Sequence, residues 1–130
     1  MRSRARDERG ASVIELVLYT PLLMIAMIIT IQFSLTYLAK QSASAAAREA
    51  ARVARVTGDA GMGHAKGVSS AESLGRGLLK NPQVQVNQVG DSMRATVSGR
   101  ANQLLPFLAS PKVTEVVQGR IEEFQQDGAP

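Results

Sequence analysis

The sequence predicts an α+β protein: a long N-terminal transmembrane helix that continues into a small outer domain with a short helix and a three-stranded antiparallel sheet. Three observations predict it. Val13–Ala39 is an almost unbroken apolar run, Lys40–Val56 is Ala-rich with neither Gly nor Pro, and beyond Pro82 the apolar residues alternate with polar ones. The part beyond the long helix is about 70 residues, too few to bury a generous core alone, so its sheet is expected to cover itself with the Ala-rich half of that helix.

The leader, residues 1–10, carries Arg2, Arg4, Arg6 and Arg9 against Asp7 and Glu8. The apolar run that follows would extend about 40 Å as a helix, more than the roughly 30 Å of bilayer hydrocarbon. Leu22–Ile29 has no polar face, which a soluble core helix of this length would need. The transmembrane helix is therefore assigned to residues 11–39. The arginines before it outweigh Lys40 after it, so the N-terminus is expected in the cytoplasm and the C-terminal domain outside, in a single-pass topology. A cleaved secretory signal ending near Ser42–Ala47 is the alternative, but its apolar region would be only about 7–15 residues long.

Glu15 is the sole formal charge within the apolar run. An ionised carboxylate in hydrocarbon costs about 2–4 kcal/mol. Either Glu15 sits near the headgroups, where the helix dipole favours an anion, or it pairs with a cation of a neighbouring subunit. Pro21 removes a helical hydrogen bond and predicts a kink near Val17–Pro21.

Residues 40–57 should extend the same helix. Arg48, Arg52 and Arg55 share one face, and Ala43, Ala46, Ala47, Ala50 and Ala54 form a smooth stripe. The arginines read as a packing or partner face, or as a solvated edge. The alanines read as a subunit contact, or as the face that meets the protein's own domain.

The outer domain is expected over residues 58–124. Gly58–Gly67 reads as a turn: the G-x-x-x-x-G spacing of Gly58 and Gly63 lacks the phosphate-loop lysine, having His64 instead, and His64 is expected to be solvated. A helix is expected over Ser70–Lys80, ended by Asn81-Pro82. Gln83–Val89 and Met93–Ser98 alternate and form a hairpin around Gly90-Asp91. Leu104–Leu108 is an apolar loop, or a helical turn interrupted by Pro106, and reads as core in preference to a partner site. Lys112–Phe124 supplies a third strand, or a short helix near Gly119–Phe124. The tail, residues 125–130, is expected to be disordered.

The residue inventory narrows function. There is no Cys, and His64 is the single histidine, so thiolate, multi-His metal and Ser–His chemistry have little to work with. Neither enzymatic activity nor a cofactor is expected. The net charge is +4, but no basic stripe is interleaved with aromatics, and half the excess lies in the leader, so no nucleic-acid binding is expected.

Arg9-Gly10-Ala11-Ser12-Val13-Ile14-Glu15 resembles the type IV pilin signal, a basic leader followed by Gly and then by Glu at the fifth position after it. RGASVIELVLYTPLLM followed by AKQSASAAAREAARVARV narrows this to a resemblance to the TadE-like family, the pseudopilins of tight-adherence (Flp) pilus systems, over about residues 8–57. Leu16 stands where many members have Phe. The resemblance implies a pilin-like fold and a minor pilin or pseudopilin of the inner membrane, which passes into the pilus on assembly. It also implies cleavage between Gly10 and Ala11 by a prepilin peptidase, register set by Glu15 against a neighbour's Ala11 amine, and partnership with other pilins and the assembly machinery. An uncleaved single-pass envelope anchor whose outer domain binds a partner is the alternative.

Overall fold

The computed structural model describes residues 4–123. The expected disordered tail, residues 125–130, lies outside them. In chain order the elements are α1 (Arg4–Thr57), α2 (Ala60–Leu74), β1 (Leu79–Val89), β2 (Ser92–Ala101) and β3 (Lys112–Arg120). The α+β class is as expected. The chain divides into two compact units, Met1–Ser34 and Leu35–Pro130.

The N-terminal unit is the first part of α1. From Val13 to Phe33 its large apolar side chains are exposed, with Ile28 half-buried. Hydroxyls are satisfied locally: Thr20 donates to the Leu16 carbonyl at 2.6 Å, Thr30 to Ala26 at 2.8 Å and Ser34 to Thr30 at 2.9 Å. That back-bonding leaves no hydroxyl facing hydrocarbon without a partner at these three positions. Pro21 lies inside α1, with helical residues on both sides.

In the C-terminal unit, the rest of α1 and α2 cover one face of the sheet. Ala39, Ala43, Ala46 and Ala47 pack with Ala71, Leu79, Val84, Val97, Ala101 and Val113, while Ala50 and Ala51 pack on Ala95. The alanine stripe thus meets the protein's own domain. Met93 and Val97 are the largest fully buried side chains, so the core holds by close approach of small residues rather than by bulky ones.

The predicted turn at Gly58–Gly67 is confined to Gly58-Asp59, and the short helix is Ala60–Leu74 rather than Ser70–Lys80. Gly58 adopts φ +67°, which ends α1. Asp59 then caps α2, its carboxylate accepting from the Gly61 and Met62 amides at 2.7 and 3.3 Å. The glycines that read as breakers are contact points. Any side chain at Gly63 or Gly67 would collide with α1 at Ala50 and Ala54, or with Val84. Packing therefore overrides their poor helix propensity. α2 runs back along α1 and ends where Ser42 donates to the Leu74 carbonyl at 3.0 Å.

The sheet order is β1-β2-β3, all antiparallel. Val89 pairs with Ser92 around Gly90-Asp91, the predicted hairpin. Asn81-Pro82, expected to stop a helix, instead forms a bulge in β1 opposite Gly99, between the pairs Lys80–Arg100 and Gln83–Ser98. Proline has no amide to give the ladder, and a bulge is where a strand tolerates it. The third segment is a strand, and Ile121–Glu123 is not helical. Leu104–Leu108, expected in the core, is instead largely exposed: Leu104, Phe107 and Leu108 all face outward in the β2–β3 loop. Pro106 and Pro111 keep that segment out of both ladders.

Candidate functional site

The residues singled out by sequence lie along α1. Gly10 is exposed, and a methyl group added to it would meet nothing within 4 Å. Nothing in the fold requires glycine there. Ala11 lies in the helical backbone of α1. Glu15 is exposed one turn further on, and among the described residues its carboxylate has no hydrogen-bond or ion-pair partner. Around it Ile14, Leu16, Leu18 and Tyr19 are also exposed, so the carboxylate sits in an apolar helical surface that no described residue covers.

Among the described residues one helix is long and apolar enough to cross a membrane, α1 from Ser12 onward. Its membrane length is local information, legible from composition alone, and the protein is membrane-anchored through it.

The three arginines of the extension have different surroundings. Arg48 is exposed. Arg52 donates to Glu49 through Nε at 3.1 Å and through its terminal nitrogen at 2.8 Å. That hydrogen bond, with the arginine charge, holds the Glu49 carboxyl below its usual range and raises the Arg52 guanidinium further. Arg55 turns onto the sheet, donating to the Arg120 carbonyl at 2.9 Å and to Glu122 at 3.1 Å. The Glu122 amide returns a bond to the Arg55 carbonyl at 3.2 Å. Arg55 thus ties the end of β3 to α1, a role that spacing along one helix could not reveal because its partners lie 65 and 67 residues away.

His64 is exposed on α2. Among the described residues no group of three His, Cys, Asp or Glu side chains is placed to hold a metal ion, and no buried side-chain nitrogen or oxygen lacks a hydrogen-bond partner. The C-terminal unit carries open clefts at its surface. One is lined by Asn81, Gln83, Ser98, Gly99, Arg100 and Lys112, another by Gln88, Asp91, Arg120, Ile121 and Glu123. The N-terminal unit stands apart from these by its exposed apolar helix, in which Glu15 is the one carboxylate between Val13 and Phe33.

Comparison with known proteins agrees with that emphasis. No curated protein and no solved structure matches the chain. A protein-family model does: residues 10–52, from the glycine before the apolar run almost to the end of the alanine face, match the TadE-like protein family.

Proposed function

We propose that the protein is a minor pilin or pseudopilin of a tight-adherence, type IV-like pilus, a structural rather than catalytic subunit. It inserts with its N-terminus in the cytoplasm and its C-terminal domain outside the inner membrane. A prepilin peptidase cleaves it between Gly10 and Ala11, and the apolar helix then joins other pilins in the assembly. Glu15 sets register by pairing with the Ala11 amine of a neighbour. The TadE-like match over residues 10–52 supports a place in such a pilus system.

The observation that carries the proposal is the uncovered helix. The large apolar side chains from Val13 to Phe33 are left exposed by the described residues, and lipid or neighbouring helices can cover them. Within that surface a lone carboxylate is tolerated where a cation meets it, and a freshly made N-terminal amine four residues earlier on an adjacent copy is such a cation. Gly10, which the fold itself does not need, is left for recognition by an enzyme.

A second role, an uncleaved anchor whose outer domain binds a partner, is favoured by the continuity of α1 from Arg4 through Gly10. Cleavage requires that stretch to unwind locally, which Gly10 eases, glycine costing a helix interior about 1 kcal/mol relative to alanine.

Intact mass of the chain extracted from membranes, with and without a co-expressed prepilin peptidase, separates the two roles. Loss of Met1–Gly10 only with the peptidase establishes the pilin role. A full-length chain in both samples establishes the anchor.

A further inference from the structure

One end of the C-terminal unit combines exposed apolar side chains with uncompensated positive charge. Leu104, Phe107 and Leu108 project from the β2–β3 loop, and Phe107 is 79% exposed. Beside the loop, Lys80, Arg100 and Lys112 stand in register on the outer face of the sheet, Lys80 opposite Arg100 and Arg100 opposite Lys112. Like charges directly across a ladder repel and destabilise the pairing. Among the described residues none of the three makes an ion pair; Arg100 donates only to the Ser110 carbonyl, at 3.3 Å. At the opposite end of the sheet, by contrast, Asp91 and Glu122 are each paired with an arginine.

This end is also where the chain leaves for its apolar segment. Lys112 lines one cleft together with Thr36 and Lys40 of α1, and Lys40 reaches Glu115 of β3 at 3.8 Å. Ser34, the last residue of the apolar unit, is covalently joined to Leu35, the first residue of this one. Lys112 thus lies beside residues of α1 that follow directly on the apolar segment, the part of the chain that a bilayer surface would border.

We propose that this end of the domain docks on that surface: Leu104, Phe107 and Leu108 enter the headgroup region, and Lys80, Arg100 and Lys112 meet anionic lipid. Apolar side chains flanked by cations are what an interfacial membrane contact requires, and each Lys or Arg near an anionic surface shifts the docked-to-free ratio about fivefold. The docking rests on the membrane-anchored reading of α1. It holds the outer domain against the membrane and has to be released before the subunit can be drawn into a filament.

The test uses the full chain, which has no tryptophan, carrying Phe107→Trp, or Val89→Trp at the hairpin end as a control. Each is reconstituted in vesicles of phosphatidylcholine with or without phosphatidylglycerol. In vesicles with phosphatidylglycerol, the Phe107→Trp emission should be blue-shifted relative to the control and quenched by brominated lipid. Adding Lys80→Gln, Arg100→Gln and Lys112→Gln should lower the docked-to-free ratio on the order of 100-fold, the product of three such steps. Emission matching the control, without lipid quenching, overturns the inference. A blue shift that follows protein density and is not quenched by lipid overturns it too, by assigning the surface to a second copy. Resistance to carbonate extraction keeps the two levels apart: an embedded chain with an unquenched Phe107→Trp signal defeats only the docking, whereas an extractable chain defeats the anchor and the docking together.

Discussion

Gly63 of α2 rests directly on Ala54 of α1: a methyl group on Gly63 would lie 2.6 Å from the Ala54 Cβ and 2.7 Å from the Ala50 carbonyl oxygen. The two helices are held at a separation that only glycine permits. Helix propensity alone favours alanine at this position by about 1 kcal/mol. The clash opposes it, and because one of the obstructing atoms is backbone, it is relieved only by moving the helices apart.

The Gly63→Ala variant is therefore expected to lose about 1–3 kcal/mol of stability despite its better helix former. That corresponds to a fall in melting temperature of several degrees, at roughly 4–8 °C per kcal/mol for a domain of this size. Thermal unfolding of the purified chain in detergent checks it. A Gly10→Ala variant, whose added methyl meets nothing, should melt no lower than the parent does.

Asp59 closes the first turn of α2 with bonds to two amides. Asp59→Ala should cost about 1 kcal/mol, while Asp59→Asn, which keeps a capping oxygen, should cost much less. Hydrogen exchange of the Gly61 and Met62 amides should accelerate in the alanine variant, with the amides of the sheet protected as before.

For Glu15 the readout is assembly rather than folding. Its side chain is exposed and makes no bond within the described residues, so Glu15→Ala should leave membrane insertion and thermal stability unchanged while lowering pilus yield. Gly10→Ala should lower neither while slowing cleavage between residues 10 and 11. Unaltered pilus yield from the Glu15→Ala variant would remove Glu15 from the register.

The Glu49–Arg52 pair carries a pH dependence of definite sign. Arg52 depresses the Glu49 carboxyl below its usual value of 4.5, so in the folded chain the group holds its charge to lower pH than in the unfolded chain. The stabilisation is fully present above about pH 4.5 and is lost as pH falls through the depressed value. The melting-temperature difference between the parent and Glu49→Gln should accordingly be constant near neutrality and shrink in acid. The pair is solvent-exposed, so the difference should be small and should also fall with added salt.

What the sequence by itself determined is whatever rests on neighbours along the chain. The apolar run from Val13, the Ala-rich stretch after Lys40 and the alternation in Val84–Val97 are all local patterns, and helix and strand follow from them directly. The tertiary structure decided matters that depend on contacts between distant residues. Gly63 and Gly67 read as helix breakers until Ala50 and Ala54 are seen to require them. Asn81-Pro82 reads as a helix stop until Gly99 stands opposite it in a bulge. Leu104–Leu108 reads as core because it is apolar, but Pro106 within it cannot donate to a ladder, and the space beneath the sheet is already filled by alanines from α1. An apolar segment is buried only where a cavity is left for it, and a glycine breaks a helix only where no partner packs against it. Both conditions are properties of the assembled fold.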